Sequence, residues 1–340
     1  APFLSANGKI PPSNGRFSLR SGVETPSDPP NPLACAKAAD ADSCPLGITP
    51  HPDAWRQAVT GSVSSVASRN RRSSLPNVLL VGGRGQIGAG LRTYMPRLDP
   101  DYRITSVDLP DSPDRATDPD AQRNFVDLDI SQHPDELAKL MANRDLVVYL
   151  ARMGGLEQMN DLSDLVFEAA LAQERVPMVV ASSSVHACDG AYSVHEGVWS
   201  TWAERRFDEL DPPPERVSSS IPACPMDDYG REKEHVEQWC QKMADAGHMA
   251  IAARWGGINA ANNVNVKEKG YFALWCHQQD AAAFVHACYH SHCNGGAPSG
   301  AHYFVTSNNK YNIFDLELPR AEIGYAPTFD AEDFYRSEPS

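Results

Sequence analysis

The chain has no run approaching roughly 18 apolar residues, the length a membrane-spanning helix requires. It has no Lys/Arg-rich stretch of useful length either, and its formal net charge is −14, which excludes a protein that grips a phosphate backbone. A C-x-x-C pair is also missing. The cysteines, Cys35, Cys44, Cys188, Cys224, Cys240, Cys276, Cys288 and Cys293, are scattered. That spacing predicts mostly reduced thiols in an intracellular compartment, with Cys35–Cys44 the one bridge the N-terminal region could form. What is left is an expectation of a soluble globular protein with no nucleic-acid partner and no membrane span. Its 340 residues, 41% hydrophobic, are enough for one large domain or two unequal ones.

Residues 1–75 are rich in Pro, Ser, Ala and Gly, carry the basic patch Arg69-Asn70-Arg71-Arg72, and lack sustained periodicity. They predict an irregular N-terminal arm that wraps its own domain or docks into a larger assembly. The first residue is Ala1, so a second expectation is an arm left after removal of a targeting peptide, in the cytoplasm or an organelle.

From Leu75 onward, strand-length apolar runs alternate with amphipathic stretches. The strands fall at 78–81, 104–107, 124–126, 146–150 and 176–180. Helical patterns cover 86 to about 95, stopped by Pro96, then 134–143 and 161–173. This alternation predicts an α/β fold, a doubly wound parallel sheet covered on both faces.

The first strand runs into Gly82-Gly83-Arg84-Gly85-Gln86-Ile87-Gly88. A strand turning into a helix through spaced glycines presents backbone N–H groups where a pyrophosphate can sit. Gly82 allows the tight turn, Gly85 lets backbone approach the phosphates, and Gly88 lets helix and strand pack closely. Asp108 ends the second strand, where a carboxylate meets the adenosine ribose of NAD and repels the 2′-phosphate of NADP. Arg84, inside the turn, argues the other way, and its direction is not fixed by the sequence.

The fifth strand runs into Ala181-Ser182-Ser183-Ser184, and Tyr229-Gly230-Arg231-Glu232-Lys233 opens a helical stretch. Spacing i, i+4 puts phenol and ammonium on one helix face. There the Lys charge favours the tyrosinate, a base able to take a hydroxyl proton while hydride leaves the carbon. The cluster His286, Cys288, His290, His292 and Cys293 has spacing that scatters around a helix, so no metal is expected there.

With these motifs in place, residues 76–340 resemble an extended short-chain dehydrogenase/reductase of the NAD-dependent epimerase/dehydratase family. The stretches 305–309, 315–316 and 323–327 resemble the ending of that family's uronate dehydrogenases, which oxidise hexuronic acids with NAD. The resemblance implies a Rossmann domain over 76–253, with an insertion at about 192–221, and a smaller substrate-binding part over 254–340. It implies that Gly82, Gly85, Gln86, Ile87 and Gly88 bind the pyrophosphate and Asp108 the ribose. Asp127 and Leu128 would flank the adenine, and Leu150 the nicotinamide ribose. Ser183 would hold the substrate oxygen, with Ser184 beside it, Tyr229 would be the base, Lys233 its activator, and Arg254 the partner of a substrate carboxylate. A homodimer through the Tyr229 helix is implied as well.

Two departures stand out. Ser184-Val185-His186 replaces the Asn-His of uronate dehydrogenases, and Ser183 and Tyr229 are 46 positions apart, more than the family pattern. The surplus holds Trp199, Trp202, Arg205 and Arg206, as a substrate lid or a subunit contact. Three functions stay open: an NAD-dependent dehydrogenase of a sugar or sugar acid, a nucleotide-sugar epimerase or dehydratase that recycles NAD, and a non-catalytic nucleotide-binding subunit.

Overall fold

The computed structural model describes residues 76–335, so the arm over 1–75, with Cys35 and Cys44, lies outside the described residues. The chain alternates β1 (Asn77–Val81), α1 (Gln86–Leu98), β2 (Arg103–Asp108), β3 (Phe125–Asp127), α2 (Pro134–Met141), β4 (Leu146–Tyr149), α3 (Leu156–Leu171) and β5 (Met178–Ser184). Then come α4 (Gly197–Ala203), α5 (Asp228–Asp245), β6 (Ala250–Trp255), α6 (Tyr271–Leu274), α7 (Gln278–Cys293), β7 (His302–Val305), α8 (Glu317–Ile323) and α9 (Ala331–Phe334). The strands form one seven-stranded sheet, ordered β3-β2-β1-β4-β5-β6-β7, with every pairing parallel. The order reverses between β1 and β4, and ligands of such sheets bind in the crevice outside the carboxyl ends at that point.

Period-2 alternation builds the two faces. Val78 and Leu80 pack with Leu91 of α1 and Phe284 of α7, whereas Leu79 and Val81 pack with Phe167 of α3 and Val236 of α5. A third apolar cluster joins Tyr192, Trp199 and Val217 of the insertion to Phe272, Trp275, Phe304 and Phe314. The insertion therefore folds onto its own chain. The expected boundary after residue 253 falls inside β6, whose partner β7 completes the same sheet.

Two helix limits differ from expectation. α1 does not stop before Pro96 but carries it in its last turn. The carbonyl that Pro96 cannot serve, that of Arg92, accepts from the Gln122 N–H at 3.2 Å, so the broken ladder costs little. α3 starts at Leu156 instead of 161, where the Gln158 side chain accepts from the Gly155 N–H at 3.1 Å and satisfies one orphan donor of the first turn.

Candidate active site

The turn after β1 is shaped by backbone contact. Gly82 has φ +90°, and a Cβ there would meet the Ala151 nitrogen at 2.5 Å. A Cβ on Gly88 would strike the Gly83 carbonyl oxygen at 2.5 Å, so only glycine brings α1 this close to the turn. Gly85, the N-cap of α1, is open: its Cβ would find only the Gly82 oxygen, at 3.6 Å. No acidic residue occupies the first turn of α1 and no side chain caps it, so its leading N–H groups are available to an anion. Arg92, 1% exposed, reaches back from α1 to donate to the Gly83 carbonyl at 3.0 Å, a support with no signature in the glycine motif.

In front of this cradle lies a cleft of about 330 Å³ lined by Gly82, Gly85, Asp108, Leu128, Leu150 and Arg152 among others. Asp108 sits at the end of β2, its carboxylate accepting from the backbone N–H of Arg84 at 2.8 Å and of Leu109 at 2.9 Å. The Arg84 side chain turns away along the β2–β3 edge, donating to the Leu109 carbonyl at 2.6 Å and pairing with Asp127. Asp127 is thus engaged with Arg84, and Leu128 rather than Asp127 faces the expected adenine end of the cleft. The Gln86 side-chain oxygen accepts from the Ala260 N–H at 3.1 Å, and Ile87 packs on the core and can offer a phosphate only backbone. An open glycine cradle, a free helix N-terminus and a carboxylate at the β2 end fit a dinucleotide whose ribose hydroxyls meet Asp108.

Beyond the cleft, α5 begins with Asp227 as N-cap, its side chain accepting from the Gly230 N–H at 2.7 Å. This places Tyr229 in the first turn, where the nearby Ser184 hydroxyl acts to lower the pKa of its phenol. Ser183, expected to hold the substrate oxygen, is 1% exposed and donates to Glu237 at 2.6 Å, while Ser184 is 4% exposed. Strand alternation explains the difference. Ala181 and Ser183 face the α5 layer, and Ser184 points the other way; counting by two from the buried Val179 carries this signal in the sequence.

Arg254, expected to meet a substrate carboxylate, is turned inward. It is 0% exposed, with Nε and Nη2 on Glu237 at 2.7 and 2.8 Å and Nη1 on the Ile221 carbonyl at 2.8 Å. Three of its N–H donors are thus engaged within the protein.

Lys233 is 3% exposed, with its Nζ 5.2 Å from the centre of the Tyr229 ring and 3.3 Å from the Glu232 carboxylate. Glu232, 1% exposed, also receives Arg152 through two N–H groups at 2.7 and 3.2 Å, and the Arg152 guanidinium lies 4.9 Å from the Tyr229 ring centre. Burial pushes the Tyr229 phenol up, opposed by the Ser184 hydroxyl, raised further by Glu232 and pulled down by Arg152. Burial pushes the Lys233 ammonium down, and Glu232 opposes it. The Glu232 carboxylate next to Lys233 offsets the lowering of the phenol expected from that ammonium. Neither Glu232 nor Arg152 stood out in the sequence, although Glu232 directly precedes Lys233.

Among the described residues, no group of three His, Cys, Asp or Glu could hold a metal, and His286 instead hydrogen-bonds Tyr102 at 3.1 Å. No helix among them is long and apolar enough to cross a membrane.

A family profile described as the NAD dependent epimerase/dehydratase family matches residues 78–255. Solved structures of similar fold include uronate dehydrogenase from Agrobacterium tumefaciens, at 22% identity and TM-score 0.57, covering 77% of this chain and 87% of that one. They also include dTDP-glucose 4,6-dehydratase from Bacillus anthracis in complex with NAD, at 16% identity and TM-score 0.56, covering 76% and 94%. No curated protein matches the chain.

Proposed function

Because the chain belongs to the NAD-dependent epimerase/dehydratase family, we propose that it is an NAD-dependent oxidoreductase that removes hydride from a hydroxyl-bearing carbon of a sugar or sugar acid. The observation that carries this reading is the pairing of Tyr229 with Lys233 on α5, joined to the glycine-cradled cleft by Arg152, which lies over the Tyr229 ring. The names of fold neighbours, a uronate dehydrogenase and a dTDP-glucose dehydratase, support a sugar as substrate class. Asp108 at the β2 end and an Arg84 committed to Asp127 favour NAD over NADP, since the carboxylate repels a 2′-phosphate.

In this mechanism Ser184 holds the substrate oxygen against the Tyr229 phenol, in place of the Ser183 first expected. Tyr229 takes the hydroxyl proton as the carbon loses its hydride. NAD, when bound along Gly82, Gly85 and Gly88, supplies the acceptor for that hydride. The raised phenol pKa makes deprotonation of Tyr229 the demanding step, and the cations Arg152 and Lys233 are the groups on hand to favour it.

Incubating the purified chain with NAD and a panel of free sugars and hexuronates, read by NADH absorbance, tests the proposal. Accumulating NADH is the expected result. An epimerised or dehydrated nucleotide sugar without net NADH would instead assign the recycling chemistry.

A further inference from the structure

With Arg254 held on Glu237 and the Ile221 carbonyl, freeing it for a substrate would break a buried ion pair. Another guanidinium stands closer to the reacting groups. Arg152 follows β4 at the carboxyl edge of the sheet, lines the cleft, and lies over the Tyr229 ring; it is the residue that joins the two halves of the site. Its side chain is 47% exposed, while the carboxylate that orients it is 1% exposed. Nε and Nη2 are spent on Glu232 in a forked pair, and Nη1 has no hydrogen-bond partner among the described residues. The head group is thus fixed from behind and offers its remaining N–H groups outward.

Glu232 is shared between Arg152 and Lys233, and Asp227, which accepts the Gly230 N–H at the α5 N-cap, is the other carboxylate acting on Arg152. A neutral sugar gains little from an exposed guanidinium edge, whereas a carboxylate gains a charge-assisted hydrogen bond from a donor already held in place.

We propose that Arg152 determines specificity at this site by receiving an anionic group of the substrate, a sugar carboxylate, and that Glu232 is its positioning residue. The inference rests on the reading above in placing the substrate at Tyr229. The pyrophosphate of the cofactor is a second anion within the same cleft, and the experiment separates the two.

Calorimetric titration of the NADH-loaded full chain with galacturonate and with galactose, which differ only in the carboxylate, reads the contact without requiring turnover. The wild type is expected to bind galacturonate at least about tenfold more tightly than galactose. Arg152→Gln should erase that preference while galactose and NADH affinities stay within about threefold, and Arg152→Lys, which keeps the charge but not the fork, should retain part of it. Glu232→Gln should lower the preference through loss of orientation. A wild type that binds both sugars alike, or neither, overturns the proposal. So does an Arg152→Gln chain that loses NADH affinity and keeps the sugar preference, which would assign Arg152 to the pyrophosphate. Should Arg152→Gln fail to fold, an Arg152→Lys chain with unchanged preference and weakened NADH binding has the same force. An Arg152-dependent preference without NADH formation would leave Arg152 in place and remove the oxidoreductase reading, and NADH formed equally from both sugars would do the reverse.

Discussion

At the residue scale, the two serines at the end of β5 divide structure from chemistry. Ser184 acts to lower the pKa of the Tyr229 phenol, and Ser183 donates to a buried carboxylate that already holds Arg254. Ser184→Ala should therefore lower kcat by about ten- to a hundredfold with little change in melting temperature. Ser183→Ala should leave kcat nearly intact but cost about 1–3 kcal/mol of stability by removing a donor from Glu237. The reverse pattern in paired kinetics and thermal melts would return the substrate oxygen to Ser183. Tyr229→Phe should reduce turnover by about a thousandfold while NADH fluorescence titrations shift by less than about threefold; retained activity would remove Tyr229 as the base. The nearness of Lys233 to the Tyr229 ring was legible in the sequence because the i, i+4 spacing puts both on one helix face. Arg254 was not, because the same β6 position serves equally for a ligand contact or an internal ion pair, and only the contact with Glu237 of α5 decides.

At the element scale, the β1–α1 turn was the clearest stretch of the sequence, since a strand, three glycines and a helix each leave a local pattern. Its supports were hidden because they come from afar: Arg92 reaching back to Gly83, and Gln122 capping the carbonyl that Pro96 leaves free. The early start of α3 was hidden too, resting on one side-chain acceptor at Gln158. The glycines themselves separate packing from binding. Gly88→Ala drives a methyl into the Gly83 backbone, so it should destabilise the fold by about 1–3 kcal/mol and weaken NADH together. Gly85→Ala meets nothing closer than 3.6 Å and keeps an allowed backbone, φ −63° and ψ 176°. Its melting temperature should stay within about 2 °C while NADH affinity falls about tenfold, because the methyl stands where the phosphates approach. Equal behaviour of the two variants in thermal melts and NADH titration would dissociate this turn from the cofactor.

At the scale of the whole molecule, the sheet core and the insertion core meet around His277, which precedes α7. Its ring stacks on Phe329 at 3.8 Å and lies near Tyr94 of α1, Trp275 and Phe334 of α9. Its Nδ1 accepts from the Gln279 N–H at 3.0 Å, capping α7, so this nitrogen must be unprotonated. Burial lowers the pKa to about 4 from an ordinary value of 6.5. The folded chain thus disfavours the charged imidazole. The unfolded chain takes up a proton as pH falls through about 6.5 and the folded chain only near 4, so stability is whole above the first value and is lost between them. For a ring only 7% exposed, the loss over the full window is on the order of 2–3 kcal/mol. His286, His292 and His302 are lowered by burial too and act in the same direction. The melting temperature should drop by at least about 5 °C between pH 7.5 and 5. His277→Asn retains a capping oxygen but cannot titrate there. It should melt lower than wild type at pH 7.5, having lost the stack on Phe329, yet fall less on acidification. A variant whose melting temperature tracks the wild type across the whole pH range would show that the acid sensitivity resides in the other histidines.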